Sequence, residues 1–317
     1  MDLKTLVKEQ EKFKSLVEEI EKGKLAKSTL IFSADKVYLK EFALSLACAI
    51  LEGGDKDGVH SQKARLFAHP DVKSYPLKEK FLVGDSQEIV DECFIKPIFA
   101  DKKVFIINGF DEAMEIAQNK LLKVLEEPPE NVYFILTATN QNLVLPTIKS
   151  RCNKVELPKL PADKIEKVMI AYENGSLLSK MCDGNVGEAI EMAKKGNGEQ
   201  IFGTALSLLT ELNTSKNLLM YSKKVFALKD DGIKVLQIYS LLLEDMLYIK
   251  AGKIDNVRFG GQMSSLERVK DDFTIKAICE IRRLIDNAMK EISFNGNMTL
   301  IVENLLLGIL EVKYICR

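Results

Sequence analysis

The chain has 317 residues, and its 45 Lys and Arg against 46 Asp and Glu give a formal net charge of −1. Hydrophobic residues make up 46% of it, which is enough to form buried cores and argues against disorder. The length favours two or three domains. A free-standing DNA-binding protein usually carries a strong basic excess, so the near-zero charge argues against that class.

The cysteines and the apolar segments limit the type of protein further. The first residues, MDLKTLVKEQEKF, are charged and amphipathic, unlike a signal peptide. No apolar run approaches the ~20 residues that span a bilayer, so we expect a cytoplasmic protein without a membrane partner. None of the cysteines are spaced as C-x-x-C, which predicts buried thiols and neither a zinc knuckle nor a redox pair. They are Cys48, Cys93, Cys152, Cys182, Cys279 and Cys316.

Helices and short apolar strands are predicted to alternate in the first half of the chain. In chain order they are a helix at 3–20, a strand at 28–33, a helix at 41–52, a strand at 72–75, a helix at 86–95, a strand at 103–107, a helix at 111–125, and strands at 132–138 and 154–157. Asp111 is the predicted N-cap of the fourth helix, which Pro128 and Pro129 follow. This alternation predicts a parallel sheet with helices on both faces.

Only helical patterns are predicted beyond Pro158 and Pro161. They are broken at Gly175 and Gly184, and long apolar helical faces continue from about residue 200. We therefore predict an α/β domain at 1–157, a small helical domain at 158–199 and an all-helical domain at 200–317.

Two motifs carry a resemblance to a known family. Residues 119–131 read NKLLKVLEEPPEN, and residues 145–152 read LPTIKSRC, with Thr139-Asn140 between them. Together they resemble the clamp-loader branch of the AAA+ ATPases; His69-Pro-Asp-Val72 and Asn295-Gly-Asn297 are weaker matches. The resemblance covers nearly the whole chain. It implies an AAA+-type α/β domain, a helical lid domain and a C-terminal helical collar through which subunits assemble.

The family's phosphate-binding loop is degenerate in this chain. Such a loop needs the pattern G-x-x-x-x-G-K-[ST], because its glycines let backbone N–H groups reach the phosphates. The matching stretch runs from Ala34 to Glu41, and only Lys40 is retained. Leu39 adds side-chain bulk and Glu41 adds a carboxylate. We interpret Lys40 as a surface lysine.

Two further nucleotide contacts of the family are missing. The strand at 103–107 should end in an acidic pair that binds Mg²⁺, but Asn108 and Gly109 follow it. The family's second sensor arginine is replaced by Glu188, after Gly184-Asn-Val-Gly187. The chain's own site is therefore predicted to lack ATPase activity and to bind no ATP. Thr139 and Asn140 match the first sensor, and without a nucleotide we expect them to organise their loop.

Ser150-Arg151-Cys152 is intact. In the family this arginine points into the neighbouring subunit's nucleotide site, where its charge stabilises the transferring phosphoryl group. The resemblance therefore implies that Arg151 is an arginine finger acting in trans, with Ser150 and Cys152 as its motif context. The alternative is that Arg151 pairs with a surface carboxylate.

The combination of a degenerate nucleotide site and an intact SRC motif resembles the delta-prime family of bacterial DNA polymerase III clamp-loader subunits. The implied function is that of a non-hydrolysing stator. Its partners would be the gamma/tau motor and delta subunits, contacted through the collar and the face that carries Arg151, and the sliding clamp and primed DNA within the complex. Many members carry a four-cysteine zinc module, but residues 52–66 contain no cysteine. His60 and His69 alone are a poor metal site, so we predict no zinc.

Three other functions are alternatives to this one. A divergent autonomous ATPase would bind and turn over ATP as an isolated chain. The clamp-gripping delta subunit resembles this chain around residues 125–129 but lacks the SRC motif at 150–152. A general DNA-binding protein is disfavoured by the net charge of −1.

Overall fold

A computed structural model describes residues 1–78, 80–228, 231–294 and 296–315. The chain forms two compact units. The first comprises Met1–Ala171 and Cys182–Ile190, and the second comprises Tyr172–Met181 and Glu191–Arg317. The division into three domains at 157 and 199 stays a prediction. None of the helices in the described residues is both long and apolar enough to cross a membrane.

The first unit is built on a parallel five-stranded sheet in the order β2-β3-β4-β1-β5. Its strands are β1 Ser28–Phe32, β2 Val72–Tyr75, β3 Lys103–Ile107, β4 Val132–Ala138 and β5 Asn153–Glu156. All residues of β1 and β3 are buried, as expected for strands covered on both faces. The prediction of a parallel sheet with helices on both faces is thus confirmed.

Helices surround this sheet. They are α1 Leu3–Lys8, α2 Glu11–Glu21, α3 Lys36–Glu52, α4 Val59–Arg65, α5 Val83–Glu92, α6 Glu115–Glu126, α7 Pro146–Lys149 and α8 Ala162–Met169. Short 3-10 helices lie at Phe110–Glu112 and Gln141–Leu143. The core includes a stacked pair, Phe105 and Phe134, with ring centroids 5.4 Å apart.

The position of β1 determines where a ligand cleft can form. Strand β1 pairs with β4 on one side and with β5 on the other. In parallel α/β sheets, the connections leaving the carboxyl ends of strands diverge at such a point and open a crevice. The chain leaves β1 there and enters α3, so the candidate site lies between the end of β1 and the start of α3.

The second unit is helical, as the sequence predicts. The helices from residue 175 onward are α9 Gly175–Met181, α10 Val186–Lys195, α11 Gly198–Glu211, α12 Ser215–Ala227, α13 Gly232–Lys250, α14 Met263–Val269, α15 Ile275–Ser293 and α16 Met298–Ile315. Buried Asp245 accepts backbone N–H groups of Arg258 and Phe259, each at 2.8 Å. Buried Lys313 donates to the Leu212 carbonyl at 2.9 Å.

All four helices predicted in the first unit differ in their bounds, and the one predicted at 86–95 is α5 at Val83–Glu92. The helix predicted at 3–20 is two helices, because residues 8–12 are all polar and supply nothing for a continuous buried face. Helix α3 begins at Lys36, five residues before the predicted start, with Asp35 as its N-cap. Asp111 lies in a 3-10 helix and is not the cap of α6, whose N-cap is Met114.

The cysteine prediction holds in part. Cys48, Cys93, Cys152 and Cys182 are buried, whereas Cys279 on α15 is exposed, which corrects the expectation for that residue. Cys316 and Asn295 lie outside the described residues.

Candidate functional site

An open cleft of about 830 Å³ lies at the carboxyl end of β1. Its walls come from the segment before and within α2, from the β1–α3 connection and from the ends of β4 and β5. Residues lining it include Gln10, Lys12, Ser33, Ala34, Tyr38, Thr139, Gln141, Glu156 and Lys159. This is the place where the phosphate-binding loop of a nucleotide-binding relative would be.

A carboxylate of the chain itself occupies the phosphate end of this region. Asp35 precedes α3, and its Oδ1 accepts the backbone N–H groups of Val37 at 2.9 Å and Tyr38 at 3.0 Å. Those N–H groups at a helix N-terminus are what would bind phosphate in a functional loop. Only 3% of Asp35 is exposed, so its carboxylate fills the anion position at the start of α3.

The Asp35 carboxylate also binds the start of α10. Its Oδ2 accepts the backbone N–H of Gly187 at 3.0 Å. A Cβ atom at position 187 would lie 2.8 Å from Asp35 Oδ1 and from Val37 Cγ2, so this approach requires glycine. One side chain therefore joins two helix N-termini that are far apart in sequence.

The other residues of the degenerate loop point in different directions. Leu39 is buried in the core, and Ala34 is exposed at the cleft. Glu41 forms an ion pair with Arg65 at 2.8 Å. Lys40 is exposed, as predicted. No metal or phosphate is needed to account for these positions.

We expect Lys40→Ala to leave the melting temperature of the chain unchanged, because an exposed lysine contributes little to stability. We expect the ATP turnover of a complex assembled with this variant to stay within about twofold of wild type. The measurements are thermal unfolding of the chain and ATP turnover of the assembled complex. Lys36→Ala is a matched control for removing a neighbouring exposed lysine. A large loss of activity with Lys40→Ala alone would show that the loop still holds nucleotide.

The end of β3 is arranged without a metal-binding carboxylate pair. The side-chain amide of Asn108 donates to Ser74 Oγ at 3.3 Å, and Gly109, with φ +62°, donates its N–H to Thr137 Oγ1 at 3.2 Å. Asp111 Oδ2 accepts three hydrogen bonds, from Thr139 N at 3.1 Å, Thr139 Oγ1 at 2.8 Å and Asn140 N at 2.8 Å. Asp111 thus fixes the loop after β4, in which the Asn140 side chain accepts from Asn142 N at 3.0 Å.

Glu188 lies in the first turn of α10, where the sensor arginine of the family was expected. Its backbone N–H is bound by the Asn185 side chain at 3.0 Å. A carboxylate at this helix N-terminus is electrostatically favoured without any ligand.

Arg151 lies just after α7, in the turn that leads into β5. Its Nε donates to Glu126 Oε2 at 2.7 Å, and its Nη1 donates to the Thr147 carbonyl at 3.0 Å. The side chain is 30% exposed, and that of Glu126 is 55% exposed. Arg151 thus pairs with a surface carboxylate, as the alternative interpretation required, through Nε, and its Nη1 binds a backbone carbonyl.

The neighbours of Arg151 have structural roles. Ser150 is exposed and its hydroxyl donates to the Thr147 carbonyl at 3.0 Å. Cys152 is buried, and burial raises the pKa of its thiol to about 12. A protonated thiol is a poor nucleophile and a poor metal ligand, so Cys152 acts through packing.

The two histidines bind each other. His69 Nδ1 accepts the Asp71 backbone N–H at 3.1 Å, so its proton is on Nε2, which lies 3.0 Å from His60 Nδ1. Burial lowers the pKa of His69, which favours the neutral form of its ring. Among the residues that the structure describes, no group of three or more His, Cys, Asp or Glu is placed to hold a metal ion.

Comparisons with known proteins identify the relatives of this chain. A family model described as DNA polymerase III, delta subunit, matches residues 8–161. The delta-prime subunit of Bacillus subtilis DNA polymerase III is 24% identical over 313 residues, which cover 94% of this chain and 95% of that protein.

Similarities are also found to other subunits and to a solved structure. The gamma/tau subunit of Mycobacterium tuberculosis is 33% identical over 101 residues, which are 32% of this chain and only 16% of the length of that protein. A crystal structure of a gamma subunit-related protein from Thermotoga maritima is 20% identical with a TM-score of 0.48, covering 96% of this chain and 100% of that one. The motifs and the full-length similarity lead to one conclusion: the chain belongs to the clamp-loader subunit family of DNA polymerase III.

Proposed function

We propose that this chain is the delta-prime-type subunit of a bacterial clamp loader. It hydrolyses no ATP itself and supplies Arg151 to the nucleotide site of a neighbouring gamma/tau subunit. The observation that carries the proposal is a contrast within one unit: a buried carboxylate fills the chain's own phosphate position, whereas the family's arginine lies at the surface.

Two features of the chain's own site disfavour ATP binding. A phosphate at the start of α3 would meet the Asp35 carboxylate, and like charges in a buried position strongly disfavour each other. A magnesium ion would find Asn108 and Gly109 where carboxylates are needed. The cleft of about 830 Å³ therefore lacks the groups that hold a triphosphate and its metal, although it has the room.

Arg151 has the properties that a trans-acting arginine needs. A guanidinium remains charged at all physiological pH values, and its planar fork matches phosphate oxygens. Glu126 and the Thr147 carbonyl bind only Nε and one Nη of it. The remaining N–H groups can contact phosphate of an adjacent subunit without breaking either contact.

An exposed apolar stripe supports assembly through the C-terminal helices. Leu300, Leu307 and Tyr314 lie seven residues apart on α16 and are 58%, 47% and 72% exposed. Residues repeating at this spacing share one side of a helix, and exposed apolar side chains of this size favour a protein partner. We assign gamma/tau and delta subunits as those partners. The complex they form would be cytoplasmic, would place the sliding clamp on primed DNA and would not bind a membrane.

We expect Leu307→Glu to weaken assembly at least about tenfold, because the charge would be desolvated in the interface. The monomer should remain folded, since Leu307 is partly exposed. Light scattering after size exclusion measures the mass of the complex with gamma/tau and delta chains. Leu66→Glu, at an exposed leucine of the first unit, is the control. Normal assembly of the Leu307→Glu variant would place the interface elsewhere.

Assembly with and without Arg151 tests the trans role itself. The complex must form in both cases and hydrolyse ATP efficiently only when the arginine is present. Tight binding and turnover of ATP by the isolated chain would favour the autonomous ATPase instead.

A delta subunit is the second candidate, because the matching family model carries that description. Delta chains grip the clamp directly, so tight binding of this chain alone to the isolated clamp would support it. The intact Ser150-Arg151-Cys152 motif and the full-length similarity to a delta-prime protein favour the first proposal.

A further inference from the structure

Glu126 is the residue that holds Arg151. It is the last residue of α6, and its Oε2 accepts the hydrogen bond from Arg151 Nε at 2.7 Å. The Thr147 carbonyl of α7 accepts from Nη1 at 3.0 Å. These acceptors come from two different helices and bind two different nitrogens, so together they fix the plane of the guanidinium as well as its position.

We propose that Glu126 is the positioning residue of the trans-acting arginine, an inference that rests on the proposed function. An arginine side chain has several rotatable bonds, and ordering it costs free energy when it must find its ligand. The two contacts order it before the neighbouring subunit arrives. The N–H groups that remain unbound to Glu126 and Thr147 then face the ligand in a defined direction, which is the condition for stabilising a transition state.

The contact contributes little to the stability of the fold. Glu126 is 55% exposed and Arg151 is 30% exposed, and ion pairs at such positions are screened by water and salt. The stability of the fold therefore does not explain why the Glu126 carboxylate binds Arg151 Nε. Glu126 is also poorly placed to block Arg151 from binding another ligand, because it binds Nε and not the two terminal Nη atoms of the guanidinium.

The test uses complexes assembled with gamma/tau and delta chains and measures ATP turnover with clamp and primed DNA. Glu126→Ala should lower turnover at the affected site about tenfold, since a misplaced catalytic group can cost up to ~10²-fold. Glu126→Gln keeps an acceptor oxygen, so its turnover should be only about threefold below wild type. Glu127→Ala, at the exposed adjacent glutamate, is the matched control and should behave as wild type.

A double-variant cycle separates positioning from any other role. If Glu126 acts only through Arg151, then Glu126→Ala has no further effect when Arg151 is already alanine. Wild-type or faster turnover with Glu126→Ala would overturn the proposal, as would an additional loss in the Arg151→Ala background. If Arg151→Ala itself has no effect, the proposed function fails; if only the Glu126 variants have none, the arginine acts without this support.

Discussion

Replacing Arg151 by alanine is expected to slow ATP hydrolysis at the neighbouring subunit's site by about 10³-fold or more, the scale of arginine fingers in other phosphoryl-transfer proteins. The variant chain should fold and assemble normally, because the side chain is partly exposed and its ion pair with Glu126 contributes little to stability. Single-turnover hydrolysis by the assembled complex measures the effect best, since it resolves the loss of one site from the activity of the others.

Two further variants define what Arg151 does. Arg151→Lys keeps the charge but not the planar fork, so its turnover should lie between those of wild type and the alanine variant. Lys149→Ala removes a cation two residues away on α7 and serves as the control for a change in local charge. A complex with Arg151→Ala that hydrolyses ATP at the full wild-type rate would contradict the trans role.

The strands of the sheet were predictable from sequence because of where they lie. The bounds predicted for β2, β3 and β4 agree with the structure. Both β3 and β4 are covered on two faces, so they read as continuous apolar runs bounded by polar residues. The start of α3 was missed because residues 34–41 were compared with a phosphate-binding loop, whereas Asp35, a residue type preferred at helix N-caps, was the local signal for the start of the helix.

The site was predictable only where a motif carried the information. Arg151 was identified from the intact SRC motif, yet its partner Glu126 is 25 residues away and has no spacing rule that connects the two. Asp111 was assigned as a helix cap from local pattern, and its true partners, Thr139 and Asn140, come from the loop that follows β4. The contact between Asp35 and Gly187 spans 152 residues, so only the tertiary fold reveals it.

Asp35→Ala is expected to destabilise the first unit by about 2–3 kcal/mol. The change removes the N-cap of α3, which is typically worth ~1 kcal/mol, and leaves N–H groups of Val37, Tyr38 and Gly187 without their acceptor. For a unit of this size such a loss lowers the melting temperature by about 5–10 °C. Far-UV circular dichroism on heating measures it. Asp2→Ala removes an exposed cap of α1 that accepts one N–H group, and it should cost clearly less.

The same variant also tests whether Asp35 stands in the place of phosphate. Without the carboxylate, the N-terminus of α3 keeps its partial positive charge and its unbound N–H groups, and an anion can replace the missing acceptor. Inorganic phosphate should then raise the melting temperature of Asp35→Ala while leaving wild type and Asp2→Ala unchanged, because a ligand stabilises only the folded state that binds it. Asp35→Asn should respond less than Asp35→Ala, since its amide oxygen still accepts one of the N–H groups. Equal responses of wild type and Asp35→Ala to phosphate would show that the carboxylate does not close the site.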